Sequence, residues 1–446
     1  MITVSRQVIR ATTRGLAKVF RRSGIEAGGG GRRWQGAPML GTPQQAALGA
    51  RGPAKARAAG LYINTPFGNR IVEAWTSAMI GRGYQARSQH PDPGIRRRLN
   101  DDFEALVNPI LIPLARALVR DGEAFLQIVT EEGGLHLKLI PAEQVDPSLT
   151  RELGGGARIV AGIEYDAADR VVAFHVLREA PGAPFSTFGE AVRVPAADMI
   201  HTFDLLFPGQ VRGLSWLSPV LLKLRDRDEA SDALLMQLKT ASLITGFVRD
   251  PEGGAAGFDE GASGGQVNVS LEPGAMRILP PGADVTFSQP GQGLAQAVEF
   301  LRAQDREIAA GVGLTFEALT GDLGEANYSS ARVGLLEFRR RAEMMQKNLI
   351  EAQVLRPLWR RWIDTQALAG TIRADGAELA DYRHVRFVGP GWAWVDPRNE
   401  IEAEIAAIGA GLKSREEVVA GRGRDIDDLD EELARDGSRP AQGATA

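Results

Sequence analysis

Between Leu294 and Leu368 an amphipathic segment, an acidic glycine-broken stretch and a very long helical pattern follow one another with no linker. No other part of the chain limits the fold as much. Leu294, Val298, Leu301 and Ile308 recur at helical spacing, so residues 294–310 predict a helix with one apolar stripe that stops at Gly311 and Gly313. Leu314 to Ser330 then carries Glu317, Asp322 and Glu325 and no basic residue. Beyond it, Val333, Leu336, Met344, Leu349, Leu358, Trp359 and Trp362 predict a long, heavily apolar helix. Asn327 or the Ser329 and Ser330 hydroxyls can cap its start, and Pro357 is expected to kink it. Arg339, Arg340 and Arg341 form a basic cluster in its first third.

The remaining composition bounds the function. A chain of 446 residues with 44% hydrophobic content can bury a substantial core, as two or three domains or as one elongated subunit of several parts. No apolar run reaches the roughly 18 residues of a bilayer-spanning helix, and the N-terminal residues lack the apolar core of a secretory signal. With no cysteine, disulfides, thiolate metal sites and cysteine nucleophiles are all excluded. The five histidines, His90, His136, His175, His201 and His384, show no i, i+4 pair, so they read as surface or satisfied core residues and no metal or cofactor is expected.

A net charge of −4 hides an uneven distribution. Before residue 60 the basic side chains run from Arg6, Arg10, Arg14 and Lys18 through Arg32 and Arg33 to Arg51, Lys55 and Arg57, opposed only by Glu26. Three readings of this arm stand side by side: a transit peptide, a nucleic-acid- or partner-binding arm, and a tail without a specific role. At the other end, Asp425 to Glu432 forms an acidic, helix-like run of the kind that usually marks a solvated face.

Between the tails the pattern is mixed. Residues 69–80 and 96–121 predict helices, and the period then changes to two, giving a hairpin of 124–129 and 135–140 and strands near 163–165 and 171–177. Ser218 and Pro219 form a helix opening, and the helical pattern continues to Thr245, on the order of 40 Å at about 1.5 Å per residue. Along it, Leu221, Leu224, Leu234, Leu235 and Leu238 alternate with a charge cluster of Arg225, Asp226, Arg227, Asp228, Glu229 and Asp232. That pattern suits a buried bundle helix with a solvated face. Glycines and Pro280-Pro281-Gly282 break residues 247–292 into short strand candidates at 266–271, 276–279 and 285–287. Near the C-terminus, the alternation at 384–388 predicts a returning strand, and 401–409 and 414–419 predict short helices, with Ser414 and Glu417 spaced as a capping box.

Two fragments that look enzymatic fail on inspection. Gly409 to Ser414 would be a phosphate-binding loop, but Leu412 stands where glycine must precede the lysine. Gly213-Leu214-Ser215-Trp216-Leu217 lacks the last glycine of a nucleophile elbow. With no catalytic constellation assembled, the chain is not read as an enzyme.

Several separated motifs carry a resemblance: Ile308-Ala309-Ala310-Gly311, Leu319-Thr320-Gly321-Asp322-Leu323, Asn327 to Arg332, Leu335-Leu336-Glu337 with Arg339-Arg340, and Trp394-Val395-Asp396-Pro397 with Glu400 and Ala410 to Glu417. Asn64-Thr65-Pro66 and Arg212 to Pro219 belong to the same set. Over roughly residues 55 to 435 the chain resembles the lambda-type family of bacteriophage portal proteins, which weighs against the transit reading of the arm. The fold class the resemblance implies is α+β: an α+β wing, two stem helices, a small β clip, a long helix behind a channel loop and a helical crown. It assigns residues 1–56 to a flexible basic arm, 57–217 to the wing, 218–246 and 293–312 to the stem, and 247–292 to the clip. Residues 313–328 become the channel loop, 329–398 the long helix with a returning wing strand, 399–436 the crown and 437–446 a disordered tail.

The implied function is a dodecameric ring at one capsid vertex, through which double-stranded DNA passes during packaging and ejection. It implies as partners copies of itself, the large terminase subunit, a major capsid or scaffolding protein and a head–tail adaptor, with a place in the virion and, during assembly, the host cytoplasm. Glu317, Asp322 and Glu325 would then line the aperture, Arg339 to Arg341 would meet a neighbouring subunit or DNA, and the 225–232 charges would lie on the stem. An ordinary solvated acidic loop explains the same carboxylates without a pore. A portal of a gene-transfer particle shares the architecture, and a nucleic-acid-binding scaffold that never closes a ring is the alternative from another class.

Overall fold

The computed structural model describes residues 41–131, 134–182, 190–242, 246–249, 276–279, 294–324, 328–372, 378–393 and 396–436. Two units are distinguished, residues 1–49 and 50–446. Of the first, residues 41–49 are described; they open helix α1 (Pro43–Asn64), where the Ala46 N–H donates to the Thr42 carbonyl. The rest of α1 belongs to the second unit, to which everything below refers.

Helix α1 corrects the expected extent of the flexible arm. Arg51 is buried against Glu123 and Lys55 is ion-paired with Glu143, so the last basic residues assigned to the arm are structural ones. Helix α2 (Pro66–Ile80) starts earlier than its apolar pattern, because the Thr65 hydroxyl accepts from the Gly68 N–H and Pro66 fills the first turn. Strand β1 (Gln85–Ser88) follows, then α3 (Pro93–Asp121), capped by the Asp92 carboxylate on the Ile95 N–H and ended by Gly122 at φ 89°.

Strands β2 (Glu123–Glu131), β3 (Gly134–Ile140) and β9 (Met199–Phe203) make one sheet in the order β3-β2-β9. Between β3 and β9 in the chain, a second sheet runs consecutively through β4 (Arg151–Gly154), β5 (Ala157–Val160), β6 (Ile163–Tyr165), β7 (Val171–Val176) and β8 (Val192–Pro195). The two sheets share a small core around Phe125, Val145, Ile163, Phe174 and Met199. Helix α4 (Leu221–Ser242) leads to β10 (Gly246–Arg249), which pairs in parallel with β11 (Met276–Leu279). The strand candidates at 266–271 and 285–287 lie outside the described residues.

Helix α5 (Leu294–Val312), the one-turn α6 (Phe316–Thr320) and α7 (Tyr328–Met345) realise the succession that opened the sequence reading. From Gln346 to Leu355 the helix widens to π geometry and then resumes as α8 (Arg356–Leu368). Pro357 lies in the first turn of α8, so the disruption expected of it takes the form of widened turns ahead of it. A proline lacks the N–H for the preceding turn and crowds its carbonyl, and π turns accommodate both. After α9 (Glu378–Arg383), β12 (Val385–Val388) pairs antiparallel with β1. Helices α10 (Pro397–Gly409), α11 (Arg415–Gly421) and α12 (Ile426–Arg435) end the described chain. The main core joins α2, α3, the π segment and α8 through Trp75, Met79, Phe103, Leu111, Leu355 and Trp359.

One expected cap is absent. Helix α4 begins at Leu221, and the Ser218 hydroxyl finds no hydrogen-bond partner among the described residues. Its backbone N–H donates to Ser215 at 2.9 Å, so Ser218 is spent in a turn ahead of the helix.

Candidate functional site

The acidic stretch after α5 is a built element at its base. Gly313, at φ 71°, turns the chain out of α5, the Thr315 hydroxyl caps α6 by accepting from Ala318 N–H, and Gly321, at φ 75°, ends it. Basic groups absent from the loop come from its neighbours. Arg70 of α2 donates to the Ala318 carbonyl at 2.7 Å, Arg306 of α5 lies 5.2 Å over the Phe316 ring, and Arg302 of α5 donates to Asp322 at 3.2 Å. The other Asp322 oxygen accepts the Gly324 N–H at 2.9 Å. Asp322 is therefore charge-compensated and spent on loop geometry. Glu317 sits half-buried in the first turn of α6, and Glu325 lies outside the described residues.

The helices on either side of this stretch converge on Trp75 of α2. Its indole N–H donates to the Val312 carbonyl at 3.0 Å, where α5 ends. Its ring meets Trp216, just ahead of α4, edge-on at 5.2 Å and Phe338 of α7 at 5.2 Å. Arg341 lies 5.6 Å over the same ring. One buried indole thus ties α4's lead-in, the end of α5 and the middle of α7 together. The sequence offered no sign of that role, since a tryptophan on an apolar stripe reads as core.

The three arginines of α7 diverge. Arg339 donates to the Ala393 carbonyl at 2.8 Å and lies 5.5 Å over the Trp392 ring, and burial pulls its pKa down. Arg341 turns to Trp75, while Arg340 is exposed. The α4 charges divide in the same way. Arg227 pairs with Asp305 of α5 at 2.9 Å and lies 4.5 Å over Phe67 of α2. Lys223 reaches Glu307 of α5 at 2.8 Å, and Arg225 holds Glu229 on its own helix at 2.7 Å. Asp226, Asp228 and Asp232 face solvent. The α4–α5 pair is therefore cross-linked by charge, while Leu222, Leu235, Met236, Val298 and Phe300 remain exposed along it.

A buried ionic centre escaped the sequence reading. Glu123, at the α3–β2 junction, accepts from Arg212 at 2.8 Å, Arg51 at 2.6 Å and the Gly213 N–H at 3.0 Å, with His201 Nε2 at 3.0 Å. Burial alone would raise the carboxyl's pKa, but Arg212, His201 and Arg51 outweigh it and hold Glu123 well below the usual range. Burial is the largest influence on His201 and lowers its pKa. Arg212 also donates to the Ala161 carbonyl at 2.6 Å and the Ala142 carbonyl at 2.7 Å. Gly122 and Gly213 make the approach possible, since a Cβ on Gly122 would stand 2.0 Å from the Leu214 backbone. Arg212 belongs to a motif singled out in the sequence, but its partner lies 89 residues away, so no local pattern shows the pair.

Among the described residues no group of histidines and carboxylates could hold a metal ion, and no helix is long and apolar enough to cross a membrane.

Residues 29–346 match the family model described as phage portal protein, lambda family. A probable portal protein of Halomonas phage phiHAP-1 is 28% identical over 335 residues, which cover 72% of this chain and 63% of the relative. Portal protein B of Escherichia phage lambda is 20% identical over 343 residues, covering 69% and 64%. The chain thus spans less than two thirds of the length of either curated relative. Among solved structures, a chain from the neck of an empty GTA particle is 18% identical, with 95% of this chain and 100% of that one covered and a TM-score of 0.41. An HK97-family phage portal protein from Corynebacterium diphtheriae is 11% identical, covering 64% and 84%, at a TM-score of 0.30. At such scores the superposition is loose.

Proposed function

The chain belongs to the lambda family of phage portal proteins, and from that membership we propose that it assembles into a dodecameric ring at one capsid vertex, the conduit for double-stranded DNA during packaging and ejection. In this reading residues 57–217 are the wing, α4 and α5 the stem, 247–292 the clip, 313–328 the channel loop, 329–398 the long helix and returning strand, and 399–436 the crown. The clip would dock the large terminase subunit and later the head–tail adaptor, since exposed strand edges accept another chain. The subunit would be the passive partner of a separate motor.

The observation that supports this reading is the succession of α5, α6 and α7, with the end of α5 and the middle of α7 both packed on Trp75. A loop that rubs against moving DNA has to be mobile at its tip and anchored at its base, and Arg70, Arg302 and Arg306 supply the anchor. Acidic side chains suit a conduit. Each Lys or Arg contact with a phosphate gains affinity by releasing counterions, and a passage that let kilobases slide would stall on such contacts. Glu317 and Glu325 would keep the aperture non-adhesive, while Asp322 positions the loop. The test is DNA filling of particles carrying Glu317→Lys with Glu325→Lys, against Glu317→Gln with Glu325→Gln. The lysine pair is expected to fill slowly, and more slowly at low salt, and the glutamine pair to stay close to the parent. Equal filling by all three would contradict a lumenal role for these residues.

A further inference from the structure

Helix α12 is held to the body of the chain by charge rather than by a core. None of its residues is buried, and Ile426, Leu429 and Leu433, which share one face, are only half-covered. Just ahead of it the chain is pinned. A Cβ on Gly391 would stand 2.0 Å from the Arg422 backbone, and Gly423, at φ 70°, turns the chain out of α11 with its N–H on the Ala420 carbonyl at 2.8 Å. A fixed turn followed by a lightly covered helix is the arrangement of a hinged arm.

Between the arm and the body lies a polar cavity, and charged side chains face it from every element around it. Arg87 comes from β1, Arg96, Arg97, Asp101 and Glu104 from α3, Arg386 from β12, Glu416 from α11, Arg424 from the turn, and Asp425, Asp427, Asp428 and Glu431 from the start and body of α12. Carboxylates outnumber guanidiniums, and all but one of the latter are engaged apart from the centre. Arg97 holds Glu431 at 3.0 Å, Arg386 holds Glu416 at 2.9 Å, Arg424 pairs with Glu432, and Arg96 donates to the His90 carbonyl. Arg87 is left to face Asp428 at 2.6 Å, Asp425 at 2.8 Å and Glu104 at 3.6 Å. We propose that α12 is an arm hinged at Gly423, whose closure on β1 and α3 is opposed by this surplus of negative charge and tightened by proton uptake. Glu104 and Asp428 are the groups that take the proton. Burial is the largest influence on Glu104 and raises its pKa, with Asp101 and Asp428 adding to the rise; partial burial does the same for Asp428, with Asp425, Asp427 and Glu431 adding, and Arg87 opposes both shifts. A carboxyl raised in the closed arrangement binds a proton better closed than open. The gain in closure is therefore full below the ordinary carboxyl values of about 4 and is lost as pH rises through the raised ones. The device needs no second subunit, so it stands or falls apart from the ring reading.

Hydrogen exchange of the full-length protein, corrected for the intrinsic rate at each pH, reads the arm and the body separately. Between about pH 7.5 and about pH 5, protection of α12 is expected to rise on acidification while that of α3 does not. Two substitutions act in opposite directions. Glu104→Gln removes one of the competing charges and leaves Arg87 to α12, so α12 protection at the upper pH is expected to exceed the parent's several-fold and to respond less to acid. Arg87→Gln removes the shared cation, so α12 is expected to lose protection several-fold at every pH while α11, beyond the hinge, keeps its own; α3 protection reports whether each variant is folded. A Glu104→Gln chain no better protected in α12 than the parent, or α12 protection that falls in step with α3 on acidification, would overturn the proton-tightened closure. Loss of α11 together with α12 in Arg87→Gln would overturn the hinge at Gly423.

Discussion

At the scale of single residues the account turns on side chains whose role depends on partners far away in sequence. Glu123→Gln leaves Arg51 and Arg212 buried without their anion, a change that costs about 3–5 kcal/mol in comparable buried pairs, and denaturant unfolding is expected to show a loss of that order. The same centre predicts acid lability. Glu123 and His201 both have folded pKa values below their ordinary ones, so the unfolded chain binds more protons and stability falls as pH drops. The decline is expected to begin below about pH 6.5, where an unfolded histidine protonates, and to steepen below about 4.3 as unfolded glutamate does. Melting temperatures followed from about pH 8 to about pH 2.5 check this; His201→Gln is expected to flatten the upper part of the slope and leave the lower part. Trp75→Phe keeps an aromatic ring but removes the bond to Val312 and leaves a cavity at a fully buried site, with an expected cost of about 2–4 kcal/mol. Neither Glu123 nor Trp75 was legible as special in the sequence. A lone glutamate before a strand and a tryptophan on an apolar stripe are ordinary locally, and only tertiary structure supplies their neighbours.

At the scale of elements, what the sequence made legible is what local chemistry decides. The 124–129 and 135–140 hairpin, the helices 294–312 and 328–368 and the Ser414 cap all appear near their expected places. Starts moved where a cap outranked the apolar period, as at Thr65 and Asp92. Strands β1 and β10 were missed because each exists through its pairing, β1 with β12 some 300 residues on and β10 with β11 about 30 residues on. Ser218 misled for the opposite reason, since a good capping residue was taken up by a tighter turn. The packing of α3's end against α4's lead-in makes its own prediction. Gly122→Ala combines a left-handed backbone with a clash against Leu214, so its cost should exceed the roughly 1 kcal/mol of an unfavourable φ alone. Soluble yield and melting temperature would both fall, whereas Gly411→Ala, equally left-handed but with open space around it, should cost only that smaller amount.

At the scale of the whole molecule, the acidic C-terminal run proves to be more than a solvated face. Arg87 of β1 holds Asp425 and Asp428, and Arg97 of α3 reaches Glu431, around a polar cavity of about 430 Å³. The Arg97–Glu431 pair is exposed and salt screens such pairs, while the Arg87–Asp425 pair at the start of α12 is mostly shielded, so hydrogen exchange towards the C-terminal end of α12 is expected to accelerate between low and high salt while exchange in α3's core stays unchanged. The exposed apolar rows on α4, α5, α7 and α10 point to burial in an assembly, since a lone soluble subunit seldom presents so many. The measurement that tests the central claim most directly is electron microscopy of the purified full-length protein together with its solution mass. Rings with a central hole and a mass near twelve subunits are the predicted result. A monodisperse monomer or dimer at every salt concentration, including in the presence of its capsid partner, would contradict the conduit.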